Sequence, residues 1–295
     1  MYLCKAVSIS LILAVALFQE AFAGAWLQDK GAGIIISGSE YNQARLAFDN
    51  QGNLVTPVDF EKIDSSFYAE YGLTDKITLV GNTALQDVSY ISSDGPQQFS
   101  GFATSKIGLR LGSKFNSNWA LSVQPSLIIP AGGEAIPDGD LGIGGLGAEL
   151  RLAAGRGFSW RGKSGFFGTE AAYDWRGNDA PRQIMTDVTL GIEAHEGLQI
   201  LGQAFYTNTN DSLIGRDTVL ANESLKLQAS VVFEVSNPFS RKAKTEDNTK
   251  DKAEEAQAPS VNSETAQLQI GFFQTVYGRN IVREQGVVAK LWNRF

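Results

Sequence analysis

Cysteine and histidine are almost missing from this sequence, with one of each in 295 residues. Cys4 lies in the first apolar stretch, without the Leu-x-x-Cys setting at its end that a lipoprotein would need. From residue 24 onward the chain has no thiol, which excludes disulfides, thiolate metal ligands and cysteine nucleophiles there. The lone His195 has no second histidine with which to share a metal. It also falls in a predicted tight turn, where a solvated role outweighs that of a general base held against a nucleophile. The expectation is therefore no catalytic residue, no cofactor and no bound metal. Beyond the first 23 residues no run approaches eighteen unbroken apolar residues, so no transmembrane helix is expected. The net charge of -7 argues against a nucleic-acid partner.

The opening segment reads as an export signal. Lys5 supplies a positive start, Ala6 to Phe18 an apolar stretch, and Gln19 to Ala23 a polar end. Ala21-Phe22-Ala23 fits the small-x-small cleavage rule, and Ala23-Gly24-Ala25 fits it nearly as well. Residues 1–23 are thus expected to be removed, and the mature chain to begin near Gly24 or Trp26. The alternative is a retained membrane anchor, for which the apolar stretch is short.

The mature chain alternates with period two. Lys106-Ile107-Gly108-Leu109-Arg110-Leu111 is one instance, and Leu225-Lys226-Leu227-Gln228-Ala229-Ser230-Val231 is another. Ile184, Thr186, Val188, Leu190 and Ile192 oppose Gln183, Asp187, Thr189 and Glu193. Such alternation places one face of a strand in an apolar medium and the other in a polar one. Twelve strands are predicted over 31–48, 58–71, 77–91, 102–115, 119–130, 141–154, 165–175, 182–194, 199–208, 224–236, 265–277 and 284–295. Tight turns at 71–76, 115–118 and 195–198 alternate with longer loops at 92–101, 131–140 and 209–223. Short turns on one rim and long loops on the other are the layout of an outer-membrane barrel, the short ones being periplasmic. Tyr71, Tyr90, Phe99, Phe115, Trp119, Trp160, Tyr173, Trp175 and Tyr277 lie near predicted strand ends, as interfacial girdles would. A soluble β-sandwich or lipocalin-like barrel alternates too, with its apolar face inward, and periodicity alone does not decide between them. The Gly142–Gly147 run has a dinucleotide-like spacing but no βαβ context, so strand flexibility is its reading.

The chain stops at Val287-Val288-Ala289-Lys290-Leu291-Trp292-Asn293-Arg294-Phe295. A terminal Phe preceded by alternating residues resembles the signal by which the barrel-assembly machinery recognises outer-membrane proteins. Val287, Ala289 and Leu291 share the face of Phe295, whereas Asn293 departs from the pattern. The strand-turn-strand segment from Phe67 through Tyr71-Gly72-Leu73-Thr74-Asp75-Lys76 to Leu79 resembles the putative channel family linked to the meta-pathway of phenol degradation. Leu127-Ile128-Ile129-Pro130-Ala131-Gly132 resembles that family as well. The resemblance implies an antiparallel transmembrane β-barrel, surrounded by outer-membrane lipid, that passes small apolar or aromatic solutes. No functional residue carries over from it, because no ligand-contact motif matches.

If the apolar face meets lipid, Glu70, Lys106, Arg110, Glu149, Arg151, Glu170, Asp187, Glu193, Lys226 and Glu234 line the lumen. They would form ion-pair networks that fill it or a polar channel through it, and changing them would mainly tune selectivity. Residues 237–264 are charged and nearly devoid of aliphatic or aromatic residues, so a disordered insertion on the periplasmic rim is expected. It reads as a solvated linker, or alternatively as a segment that binds a periplasmic partner. The functional expectation is an outer-membrane channel or transporter. A structural or adhesive surface barrel is the alternative.

Overall fold

The computed structural model describes residues 24–92, 95–114, 118–130, 146–176, 182–210, 212–214, 217–219, 221–236 and 265–295. Its first four strands are β1 (Gly33–Phe48), β2 (Leu54–Thr74), β3 (Ile77–Ser92) and β4 (Gly95–Phe102). The chain continues through β5 (Ser105–Lys114), β6 (Trp119–Ile129), β7 (Gly147–Trp160), β8 (Lys163–Arg176), β9 (Gln183–His195) and β10 (Leu198–Thr209). Last come β11 (Ser212–Ile214), β12 (Asp217–Val219), β13 (Asn222–Ser236), β14 (Thr265–Arg279), β15 (Ile281–Val282) and β16 (Gln285–Arg294). β4 and β5 make one barrel strand, both pairing with β3, while β11 and β12 form a separate small hairpin. The barrel has twelve strands among the described residues, and each pairs antiparallel with its neighbour in the chain. β1 pairs with β2 on one edge and β16 on the other, which closes the sheet. Closure leaves no strand edge exposed, a requirement for any sheet that crosses lipid.

The period-two pattern finds its physical cause in this closure. On β6 burial alternates residue by residue, with Ala120, Ser122, Gln124, Ser126 and Ile128 buried between exposed Leu121, Leu127 and Ile129. On β7 the exposed residues are Leu150 and Leu152, and Glu149 and Ala153 face inward. Phe167, Ile184, Leu190, Ile200, Leu227, Val231, Ile270, Phe272 and Val287 continue the exposed apolar set around the barrel. A water-soluble protein rarely exposes a contiguous apolar patch beyond a few hundred Å2, roughly, and here the whole exterior is one. The apolar face is thus the outer face, and lipid is its solvent. Tyr71, Trp119 and Trp160 stand exposed toward one rim, and Tyr173 and Trp175 toward the other. Tyr90 instead lies on the inward parity, half-buried. Tyr277 is also half-buried, its hydroxyl 3.2 Å from Glu223. Phe115 and the side chain of Phe99 fall outside the described residues.

Some strands are longer than their predicted spans. β2 has 21 residues and runs to Thr74, which shortens the turn expected at 71–76 to Asp75–Lys76. The loop expected at 92–101 is largely strand, because β3 and β4 pair up to Ser92↔Gly95. About 9–11 tilted residues cross a bilayer, so these hairpins project beyond it. Arg45 pairs with Asp59 and Glu61 on that projecting outer surface, where water solvates them. At the tip of the β1–β2 hairpin the Asp49 carboxylate accepts the backbone N–H groups of Gln51 and Asn53. These bonds hold its carboxyl below the usual range, so they persist at neutral pH and are lost as acid protonates it. The opposite rim carries tight turns such as Arg161–Gly162. Both of its residues have positive φ, the geometry that suits a two-residue hairpin. Ser236 pairs with Thr265 on this same rim, so residues 237–264 depart from it, and their own conformation lies outside the described residues.

Candidate functional site

The inward faces do not leave an empty pipe. Residues 24–30, just before β1, turn back into the lumen and pack against its wall. Ser122 donates to the Gly24 carbonyl (3.0 Å), and Arg110 donates to that of Trp26 (3.1 Å). The Gln28 backbone N–H donates to Thr78 Oγ1 (2.9 Å), and the Gln28 amide donates to Glu70 (2.7 Å). Ala25 is buried against Ala120 and Ala153. The Trp26 ring meets Phe166 edge-on at 6.5 Å, and Phe166 in turn packs with Leu201 and Val232. Trp26 also lies flat on Gly155, where any side chain would collide with the indole. A strand glycine here serves close approach rather than turn geometry.

Above this segment lies a ring of charge. Arg110 is 2% exposed; it donates to Glu70 (2.6 Å), Gln124 (3.0 Å) and the Tyr68 hydroxyl (3.0 Å). Tyr68 itself donates to Glu70. Lys106 pairs with Glu149 (2.6 Å) and Asp174 (3.0 Å). Arg151 reaches Glu149 (3.0 Å), Glu170 (2.7 Å) and Asp187 (3.3 Å). Glu149 and Asp174 are direct partners across β7 and β8, and Glu170 and Asp187 across β8 and β9, so the register of neighbouring strands is what brings these carboxylates together. The charged groups and the apolar wall of Phe166, Leu201, Phe205 and Trp292 line a partly open cavity of about 260 Å3. The Trp292 indole N–H is buried there without an acceptor among the described residues.

Seven of the inward candidates named from the sequence (Glu70, Lys106, Arg110, Glu149, Arg151, Glu170 and Asp187) meet in this ring. Lys226 belongs to a second cluster. It sits over the rings of Phe205 (5.4 Å) and Phe273 (4.8 Å), with Glu40 4.0 Å away. Glu40 also pairs with Lys290, and Lys62 bridges Asp64 and Glu284 nearby. Glu193 and Glu234 stand toward the periplasmic rim, apart from both clusters; Glu193 is half-buried and Glu234 is exposed. Asp174, Tyr68 and Gln124 belong to the ring without being among the sequence candidates. Asp174 carries a visible cue, because it alternates with Tyr173 and Trp175. His195 is exposed at the end of β9, its Nδ1 3.3 Å from the Glu196 carbonyl.

Phe295 lies at the seam where the barrel closes. Its backbone exchanges two hydrogen bonds with Gly33 (2.8 and 3.0 Å), and its ring stacks on Tyr71 at 6.4 Å. It shares the outward face of Val287.

No family model matches the sequence, and no curated protein matches it. Solved structures do match. An outer membrane channel from Pseudomonas putida F1 is 15% identical, with 94% of this chain and 100% of that one covered and a TM-score of 0.65. The translocator domain of the autotransporter NalP from Neisseria meningitidis is 9% identical over 99% and 98% of the two chains, with a TM-score of 0.51. The transport unit of the autotransporter AIDA-I from Escherichia coli is 8% identical over 98% and 97%, at 0.50. At these identities the likeness is one of fold. This chain has the closed antiparallel β-barrel of bacterial outer-membrane proteins.

Proposed function

We propose that this barrel is an outer-membrane channel for small solutes, held closed at rest by residues 24–30. The observation that carries the reading is the cavity in the lumen beside that segment and the charged ring. A dry cavity of roughly 150 Å3 accommodates benzene, so about 260 Å3 suits one molecule of aromatic size. Its apolar wall beside polar side chains such as Asn82, Gln124 and Ser126 favours a solute with one apolar and one hydrogen-bonding side. Likeness to the Pseudomonas putida F1 channel supports the same reading.

In planar bilayers the intact protein is expected to show small or rare openings, and a variant lacking residues 24–30 to conduct several-fold more. Equal, negligible conductance from both would instead favour a structural or adhesive barrel.

We also infer that Phe295 is an assembly signal, supported by its place on the closing seam against Gly33 and Tyr71 and by its outward face. Phe295→Leu keeps the backbone bonds to Gly33 and removes only the aromatic ring. Deleting Phe295 removes both the bonds and the ring. The deletion is expected to deplete heat-modifiable barrel from outer membranes strongly, and Phe295→Leu to deplete it partly. Normal barrel levels in the deletion variant would overturn this role.

A further inference from the structure

We propose that the export signal is cut between Ala23 and Gly24, and that the ammonium group thereby liberated is a built part of the lumen, paired with Glu170. The cut hydrolyses one peptide bond with one water, leaving a carboxylate on Ala23 and an ammonium on Gly24. A membrane-bound signal endopeptidase is the class of enzyme required.

The sequence alone allows cleavage after Ala23 or after Ala25. The lumen distinguishes them. Gly24 and Ala25 are both buried; Ser122 donates to the Gly24 carbonyl (3.0 Å), and Ala25 is seated between Ala120 and Ala153. A cut after Ala25 would discard all of these contacts. The Glu170 carboxylate lies directly on Gly24, so close that a methyl group added there would overlap it.

The charges around that point are unequally matched. Glu170 (2.7 Å) and Asp187 (3.3 Å) share a single nitrogen of Arg151, whose Nε is taken by Glu149 (3.0 Å). Lys106 and Arg110 on β5 are engaged with Glu149, Asp174 and Glu70, and β6 offers only neutral Ser122 and Gln124. Two partly buried carboxylates on one guanidinium nitrogen leave room for a second cation, and an unmatched charge at such a site is costly. Glu170 meets Arg151 through Oε2, and its Oε1 is the atom that faces Gly24. The new N-terminus would place an ammonium beside that second oxygen. Processing would thus complete an internal ion pair that an uncut chain lacks, and add it to the hydrogen bonds that hold residues 24–30 in place.

The test reads neither conductance nor transport, so its failure is separate from failure of the channel reading. The intact mass of protein purified from outer membranes is expected to correspond to a start at Gly24; a start at Trp26 overturns the proposal. The folded barrel in detergent is then treated at neutral pH with an acetylating succinimidyl ester. The Gly24 amine is expected to react about tenfold more slowly than in the urea-unfolded chain, as befits one charge-assisted hydrogen bond. Glu170→Gln, in a barrel that remains heat-modifiable, should remove most of that protection. Equal rates in the wild type and Glu170→Gln overturn the pairing. Should Glu170→Gln fail to fold, Glu170→Asp takes its place: intermediate protection supports the pairing, and protection equal to wild type overturns it.

Discussion

Replacing Arg110 by leucine is expected to destabilise the barrel by about 3–5 kcal/mol, the range for stripping one partner from a buried ion pair. Arg110 is 2% exposed, as is Glu70, and four acceptors depend on its guanidinium: Glu70, Gln124, Tyr68 and the Trp26 carbonyl. The variant keeps Glu70 buried, with Gln28 and Tyr68 as its remaining donors. The midpoint of urea unfolding from lipid vesicles measures the loss. Pairing Arg110→Met with Glu70→Gln removes both charges together, and most of the stability should return, because an ion pair replaced as a pair is often nearly neutral. The same variants loosen the anchor on Trp26, so their conductance should rise as well. Wild-type stability in Arg110→Leu would mean that the ring is wet and its charges are solvated one by one.

That expectation differs from what alternation alone suggests, because parity carries only part of the structure. Parity along β5 is enough to place Arg110 and Lys106 opposite Leu109 and Leu111. Alternation and the turn residues are enough to count the strands, and the pairing of β1 with β16 closes them. What parity does not carry is the neighbour on the strands beyond the next one. Glu70 and Arg110 are 40 residues apart in the chain and flank β3, and Lys106 and Asp174 are 68 apart and three strands from each other. Strand register, with the tilt and stagger of the barrel, sets which inward side chains share a level. An inward charge therefore reads from sequence as a member of an ion-pair network or as the lining of a polar channel, and its partners stay unnamed until the strands are set side by side. Asp174 is fully buried among such partners.

Residues 24–30 are illegible in the sequence for a different reason. They carry no alternation, since they form no strand, and their few polar groups resemble any linker after a cleavage site. Their place in the lumen depends on complementary gaps made elsewhere: Gly155 beneath Trp26, and Ala120 and Ala153 around Ala25. Small residues on inward positions of β6 and β7 are the one trace of this in the sequence. Without knowledge of which strands face each other, such residues read only as strand irregularity.

The second large effect concerns the outer face. Leu109→Arg and Leu227→Arg are each expected to cost about 2–4 kcal/mol, the penalty for a cationic side chain on the lipid face within the bilayer. Leu109 is 42% exposed and Leu227 44%, and both lie between the two aromatic girdles, where no water reaches a guanidinium without snorkelling. The control is the adjacent inward residue. Gln228 is buried and donates to Gln203 and to Ser230, both at 3.0 Å. Gln228→Leu strands these neutral acceptors, which retain other polar neighbours in Thr189 and Gln269. Its expected cost is about 1 kcal/mol, the net worth of a neutral hydrogen bond. Unfolding of the three variants from lipid vesicles gives the ranking directly. Only an apolar exterior in contact with lipid makes the leucine changes the worse ones, because in a water-soluble barrel an arginine on the outside would cost almost nothing while Gln228→Leu would still lose its hydrogen bonds. Leu109→Arg and Leu227→Arg that leave stability unchanged would overturn the lipid-facing assignment of that surface, and with it the membrane-spanning reading of the fold.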